Sequence, residues 1–444
     1  MGLFGTDGVR GVANVDLTPE LALALGRAAL LLQDDLNRAV IGRDTRRSGE
    51  MLASALAAGM ASVGLEVLDA GVIPTPAIPF LLQRYDAPSG AVISASHNPA
   101  EDNGVKFFDR AGFKIPKELE ERLEQAVEDG VPLRPAAEGI GRIRAAREAG
   151  QLYLERLLSL ADESLRGSGL KLVIDCANGA TSEIARELFS RLGLEAITIH
   201  DQPDGDNINL GCGSTDLGSL QEAVLLYQAD LGVAYDGDGD RAIFVDHLGR
   251  EVDGDAVLFL AARALKTKGL LEPPMVVATV MSNLGLEERL KAEGIELVRT
   301  KVGDRYVAAE IERRKCCLGG EQSGHIIFRE CSTTGDGLIT TLQLLSILCR
   351  TGEPLAELAS QFSRYPQVFH NIRVRDVELF DRHERLREAI ISFQAQLDGV
   401  GRLLVRPSGT QSMIRVMVEG KDEALIRRIG AELSGLIERE LNSL

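Results

Sequence analysis

The sequence predicts an α/β protein with several domains, closing in a smaller α+β module. Two observations carry this expectation. Short apolar runs alternate with amphipathic stretches up to about residue 365, and the tail from Val368 changes to strand, helix, strand, strand, helix. Taken in order, Thr18 caps a helix with Pro19 in its first turn, running through Leu21, Leu23, Leu25, Ala28 and Leu32. Strand-like runs follow at 39–41, 66–68 and 91–94, with a helical stretch over 48–63. A second set has strand 171–175, helix 182–191, strand 196–199, helix 217–227 and strand 231–235. The third has strand 275–280, helix 284–293, strand 296–299, helix 304–313 and a strand near Cys317. The tail has helices over 381–397 and 423–441 and strands at 403–406 and 414–418. Such βαβ alternation calls for parallel or mixed sheets covered by helices, with ligands held by loops beyond the strand ends. The expected domains are 1–150, 151–252, 253–365 and 366–444.

With 444 residues the chain has room for three or four domains of ordinary size. Aromatics are only 4% and Trp is absent, so aliphatic residues must build the cores. A net charge of −17 argues against nucleic acid or an anionic membrane as partner, though local arginines can still hold an anionic small molecule. The start carries neither a basic region nor an apolar stretch, and no apolar run is long enough to span a membrane, so a cytoplasmic protein is expected. Cys176, Cys212, Cys316, Cys317, Cys331 and Cys349 show no CxxC spacing and read as reduced packing residues.

Residues 236–241, Asp-Gly-Asp-Gly-Asp-Arg, follow the apolar run 231–235. Three carboxylates at alternate positions point one way if the segment is extended, and Gly237 and Gly239 let the backbone turn tightly so that they can converge; held close they repel unless a cation sits among them. Oxygen ligands suit Mg²⁺ or Ca²⁺ rather than zinc. A solvated acidic turn is the plain alternative for an isolated pair of aspartates; three in register at a strand end, followed by Arg241, favour a divalent-cation site. An EF-hand fails, because its sixth and twelfth positions would be Arg241 and His247.

Three further polar loops stand out. Ser94-Ala95-Ser96-His97-Asn98-Pro99 leads to Asp102-Asn103-Gly104-Val105-Lys106, where Pro99 and the Asn103-Gly104 pair mark tight turns that bring His97 and Lys106 back towards an exposed Ser96. A capped structural loop reads equally well there, and a serine hydrolase is disfavoured because no G-x-S-x-G occurs. Gly319-Gly320-Glu321-Gln322-Ser323-Gly324-His325 is rich in groups that bond sugar hydroxyls, or is a hairpin turn. Arg406-Pro407-Ser408-Gly409-Thr410, with Arg415 beyond, has the donors of a phosphate cradle.

Together these loops resemble the α-D-phosphohexomutase superfamily, and within it the bacterial branch acting on glucosamine phosphates. The resemblance covers essentially the whole chain. It includes Gly5-Thr6-Asp7-Gly8-Val9-Arg10-Gly11, Gly42-Arg43-Asp44-Thr45-Arg46, residues 94–99, Asp175-Cys176-Ala177-Asn178-Gly179-Ala180-Thr181 and 236–241. It continues through Lys301-Val302-Gly303-Asp304-Arg305, residues 319–325, Thr333-Thr334-Gly335-Asp336-Gly337 and Arg415-Val416-Met417-Val418-Glu419-Gly420. One departure is visible: the family's last loop reads R-x-S-G-T-E-P, whereas this chain continues Thr410-Gln411-Ser412.

The resemblance implies a heart-shaped molecule of three related α/β domains and a smaller, mobile C-terminal domain around a central cleft. It implies interconversion of glucosamine 6-phosphate and glucosamine 1-phosphate, towards UDP-N-acetylglucosamine, through a phosphoserine and a bisphosphate intermediate. Ser96 matches the phosphorylated serine; with Asp236, Asp238 and Asp240 it would hold one Mg²⁺. Lys106 is expected as general acid or base, its pKa lowered by desolvation and nearby cations, with His97 sharing that role or orienting the loop. Arg10 and Arg241 would neutralise phosphate charge. Substrate would be held by Arg43, Lys301, Glu321, Ser323, His325, Arg406, Ser408, Gly409, Thr410 and Arg415. Partners beyond the sugar phosphate are not expected, except a second copy in a homodimer. Two other readings stand beside this one: a sister mutase acting on glucose or mannose phosphates, and a non-catalytic regulator that binds a sugar phosphate.

Overall fold

Each βαβ set has its own sheet. The computed structural model describes the chain apart from residues 1, 6, 34–36, 408–411 and 443–444, and apart from the side chains of residues 378 and 381. Two compact units result: residues 1–281 with 293–361, and residues 282–292 with 362–444.

The first unit carries three mixed sheets. The first runs Val9–Val12, Asp102–Asp109, Ser89–Ile93, Arg38–Arg43, Glu66–Val72, Ile143–Ala145. Its centre is parallel, while Asp102–Asp109 lies antiparallel between Ser89–Ile93 and Val9–Val12. In the second, Lys171–Asp175 is parallel to Glu195–Ile199 and to Leu231–Tyr235, which turns back antiparallel into Ala242–Asp246. The third places Met275–Thr279 parallel to Glu296–Thr300 and Leu318–Gly320, with Ile326–Phe328 antiparallel at the edge. The central strands Ser89–Ile93 and Leu231–Tyr235 are buried at every residue, as continuous apolar runs require. Both end at the loops that carry Ser96 and Asp236.

The second unit is a three-stranded antiparallel sheet, Gln367–Arg373, Met413–Gly420, Gly401–Pro407, backed by helices Glu384–Leu397 and Glu423–Asn442. Ile426, Ile429, Leu433 and Ile437 recur at helical spacing and are buried against the sheet.

Three local expectations are corrected. The first helix ends at Ala28 and tightens into a 3₁₀ turn over Ala29–Leu32. The helix read as 381–397 is broken at His383, whose backbone is extended (φ −84°, ψ 102°). Asn103-Gly104 is not a turn: both residues sit inside strand Asp102–Asp109, opposite Gly11 and Arg10. Glycine serves close approach there, since a Cβ at Gly104 would lie 2.6 Å from the Ser94 carbonyl oxygen. All six cysteines are free thiols, and among the described residues no helix is long and apolar enough to cross a membrane.

Candidate active site

Ser96 is not exposed but 1% accessible, with φ +55°, a left-handed conformation that costs a non-glycine residue about 1 kcal/mol. Surrounding bonds fix it. Its N–H donates to Ser94 Oγ (2.9 Å), and its carbonyl accepts from Arg46 Nη2 (3.2 Å) and Asn209 Nδ2 (2.9 Å). Arg46 is itself buried in an ion pair with Asp44. So held, the Ser96 hydroxyl donates to Asp236 Oδ2 at 2.5 Å and lies 3.3 Å from His97 Nδ1.

Asp236, Asp238 and Asp240 converge through the tight turn expected of Gly237 and Gly239, and not through strand alternation. Residues 236–241 form a turn between two strands, closed by Gly239 N–H donating to the Asp236 carbonyl (3.0 Å), with Gly239 at φ +72°. The three carboxylates are at most 4% exposed and bring one oxygen each within 4.8 Å of the others. Asp238 Oδ2 accepts from Thr75 Oγ1 (2.6 Å) and Lys106 Nζ (2.9 Å), whereas Asp238 Oδ1 and Asp240 Oδ1 are buried without a hydrogen-bond partner among the described residues. Burial and the charges of Asp240 and Asp238 push Asp236 well above the usual carboxylate range. Orphaned carboxylate oxygens in a mutually repelling set fit a hard divalent cation. A second cluster, Asp175, His200 and Cys212, contrasts with it: there both carboxylate oxygens accept backbone N–H groups, from Ala177 (2.9 Å) and Gly213 (2.8 Å), and pin a loop.

The expected lowering of Lys106 is reversed. Burial works against its charge, but Asp238, Asp7 at 3.1 Å and Asp240 outweigh it and hold the ammonium well above its ordinary value. Lys106 is therefore a fixed positive charge. His97 is the neutral group: burial, then Arg241 and Arg10, bring it down to about 4. Between pH 6.5 and about 4 the unfolded chain takes up a proton at His97 that the folded chain refuses. Stability is thus full above the unfolded value and is lost as pH falls through that window, by up to about 3 kcal/mol. Against wild type, His97→Gln should flatten the melting temperature between pH 6.5 and 4; parallel curves for the two proteins would contradict this origin.

Arg10 pairs with Asp7 and reaches the Ala95 carbonyl (3.4 Å), and the Arg241 backbone N–H donates to Asp236 Oδ1 (3.1 Å). Both arginines thus border the Ser96–Asp236 pair. Glu321 accepts from Gly303 N–H (3.2 Å), and Ser323 Oγ is buried without a partner. His325 is 2% exposed and faces the Asp cluster, with Nδ1 3.5 Å from Asp240 and Nε2 accepting from Gly335 N–H (3.0 Å). Lys301 is exposed, and Arg43 is paired with Asp69 at 3.1 Å. Sequence reasoning gave no role to Thr75, Asp7, Arg46 or Asn209. Asp7 and Arg46 stand in motifs quoted for the resemblance, while Thr75 and Asn209 carried no signal.

In the second unit, Arg406 and Arg415 lie directly opposite each other on adjacent strands. Burial and the charge of Arg415 lower the pKa of Arg406, and Arg415 Nε is buried with no hydrogen-bond partner among the described residues. Two such guanidinium groups suit an anion. Ser408, Gly409, Thr410 and Gln411 lie outside the described residues.

Family models match in sequence order. They are phosphoglucomutase/phosphomannomutase alpha/beta/alpha domain I over residues 1–132, domain II over 151–249, domain III over 253–365 and the C-terminal domain over 370–436. The chain belongs to the phosphoglucomutase/phosphomannomutase family. It has that family's four-domain α/β fold. Among relatives, a phosphoglucosamine mutase of Pelotomaculum thermopropionicum is 51% identical over 442 residues, covering 98% of this chain and 99% of that one. One of Caldanaerobacter subterraneus is 50% identical over 447 residues, covering 99% of each. A family structure from Burkholderia thailandensis superposes with a TM-score of 0.83 at 26% identity, covering 99% of this chain and 97% of that one.

Proposed function

We infer that this family member is a phosphoglucosamine mutase, interconverting glucosamine 6-phosphate and glucosamine 1-phosphate. One observation carries the reaction class: a buried serine hydroxyl held 2.5 Å from one of three clustered carboxylates. The choice of sugar is supported by the relatives near 50% identity along the whole chain.

In this reading Asp236, Asp238 and Asp240, with a phosphate on Ser96, would hold Mg²⁺, which when bound would supply charge neutralisation for the transferring phosphoryl group. The phosphoryl group leaves the Ser96 oxygen for the free hydroxyl of the sugar phosphate, giving glucosamine 1,6-bisphosphate. The bisphosphate then turns over, and its other phosphoryl group passes to Ser96, releasing the isomer. The proton that the attacking sugar hydroxyl gives up is the one Ser96 Oγ takes when the first O–P bond breaks, and it returns from Ser96 Oγ to the sugar oxygen when the second transfer rebuilds the phosphoserine. Neutral His97, 3.3 Å away, can relay that proton, accepting it from one oxygen before giving it to the other, while charged Lys106 balances the phosphoryl oxygens. Arg10 and Arg241 add positive charge beside Ser96, Glu321 and Ser323 take sugar hydroxyls, and Arg406 with Arg415 takes a phosphate.

The domain limits near residues 150, 252 and 365, a cytoplasmic location and a homodimer belong to the same proposal; sedimentation velocity reads the last. Coupled assays with glucosamine 6-phosphate and glucose 6-phosphate, run side by side, test the substrate. A preference for glucose 6-phosphate would make the chain a sister mutase. Arg406→Ala should raise KM about tenfold or more and lower kcat as well, because the arginine pair holds phosphate in every state of the cycle. Unchanged Michaelis curves would remove the pair from the site.

A further inference from the structure

We propose that Lys114 is a positioning residue, its ammonium group tying Asp7 beside Lys106 to Asp304 beside the sugar loop, so that the two ends of the site keep a fixed separation. This rests on the mutase reading above. Lys114 follows a tight turn after strand Asp102–Asp109. Gly112 N–H donates to the Asp109 carbonyl (2.9 Å), Phe113 N–H donates to Asp109 Oδ1 (3.0 Å), and Thr333 Oγ1 donates to the Gly112 carbonyl (2.6 Å). At the end of this docked turn Lys114 Nζ forms ion pairs with both Asp7 Oδ1 and Asp304 Oδ2. The side chain is 9% exposed, so water screens neither contact well.

Each carboxylate leads to a different part of the chemistry. The other oxygen of Asp7 lies 3.1 Å from Lys106 Nζ, which donates to Asp238 at 2.9 Å. Asp304 opens the helix Asp304–Arg314 and lies 3.8 Å from His325 Nε2, while the preceding Gly303 N–H holds Glu321 (3.2 Å). Without the ammonium, Asp7 Oδ1 and Asp304 would face each other with no cation between them, Asp7 being left to Lys106 and Arg10, and the two carboxylates would move apart. Lys106 and Glu321 would be carried with them.

A purely structural tie exists nearby for comparison. Arg305 binds Glu120 through two bonds of 2.6 and 2.8 Å, joining the same two parts of the chain without touching Lys106, Glu321 or the Asp cluster. The test compares Lys114→Met, Lys114→Arg, Asp304→Asn and Glu120→Gln in the full-length protein, recording melting temperature, kcat and KM for glucosamine 6-phosphate. Positioning predicts that Lys114→Met lowers kcat/KM by about 10²-fold, the scale of a misplacement near 1 Å, with both kcat and KM changed. Lys114→Arg should recover most of the loss. Asp304→Asn should resemble Lys114→Met and add little to it. Glu120→Gln should destabilise yet keep kcat/KM within about threefold of wild type. A loss under about threefold in Lys114→Met would overturn the proposal, as would an equal loss in Glu120→Gln. If the wild-type enzyme prefers glucose 6-phosphate, the substrate reading falls and the same ratios on that sugar decide the role of Lys114. If it turns over neither sugar, the reaction reading falls, and calorimetric binding of glucosamine 6-phosphate to the same variants decides it.

Discussion

Ser96→Ala lowers turnover by about 10⁴-fold or more, because it removes the atom that carries the phosphoryl group. The nearby hydroxyls of Ser94 and Thr75 are already engaged, Ser94 Oγ with the Ser96 N–H and Thr75 Oγ1 with Asp238. The fold survives. The alanine loses the hydroxyl's contacts with Asp236 and His97, on the order of 2 kcal/mol, while the Arg46 and Asn209 bonds to the residue 96 carbonyl remain. Circular dichroism and a melting curve close to wild type, together with a coupled assay at background, are the expected pair of results. Retained activity would remove the covalent route.

Asp238→Asn should be nearly as damaging, lowering kcat/KM by about 10²- to 10⁴-fold. Its carboxylate does two things at once. Oδ1 is buried without a hydrogen-bond partner among the described residues, and Oδ2 is the closest partner of Lys106. An amide there loses one negative charge from the cation site and presents an N–H₂ group towards Thr75 or Lys106, both donors. Calorimetric titration of Mg²⁺ into chelator-treated protein should show markedly weaker binding in the variant, and EDTA should silence the wild type. Turnover that survives EDTA would exclude a metal from the reaction.

Much of this was legible in the residues because it is local. The apolar run 231–235 sets a buried strand, and the glycines after it allow the turn that gathers three aspartates. What was misread depends on neighbours far along the chain. Asn103-Gly104 has turn composition, yet a strand forms because that glycine lets the Ser94 carbonyl approach. Ser96 sits in a loop that looks solvent-facing, but Arg46 and Asn209 close over it. Lys106 was expected to lose charge by burial; the sign reverses because Asp7 and Asp238, 99 and 132 residues away in sequence, surround it. Asp7 and Asp304 stand in motifs that carry the resemblance, whereas Lys114 stands in none, and nothing in their spacing shows that one ammonium binds both acids.

In the proposed cycle every phosphoryl group passes through Ser96. Protein incubated with glucosamine 1,6-bisphosphate carrying ³²P should become labelled, and peptide mapping should place the label on Ser96. Chasing with unlabelled glucosamine 6-phosphate should then move it into bisphosphate and glucosamine 1-phosphate at a rate matching kcat. Label that stays on the protein through the chase, or that appears on any residue other than Ser96, would contradict the account.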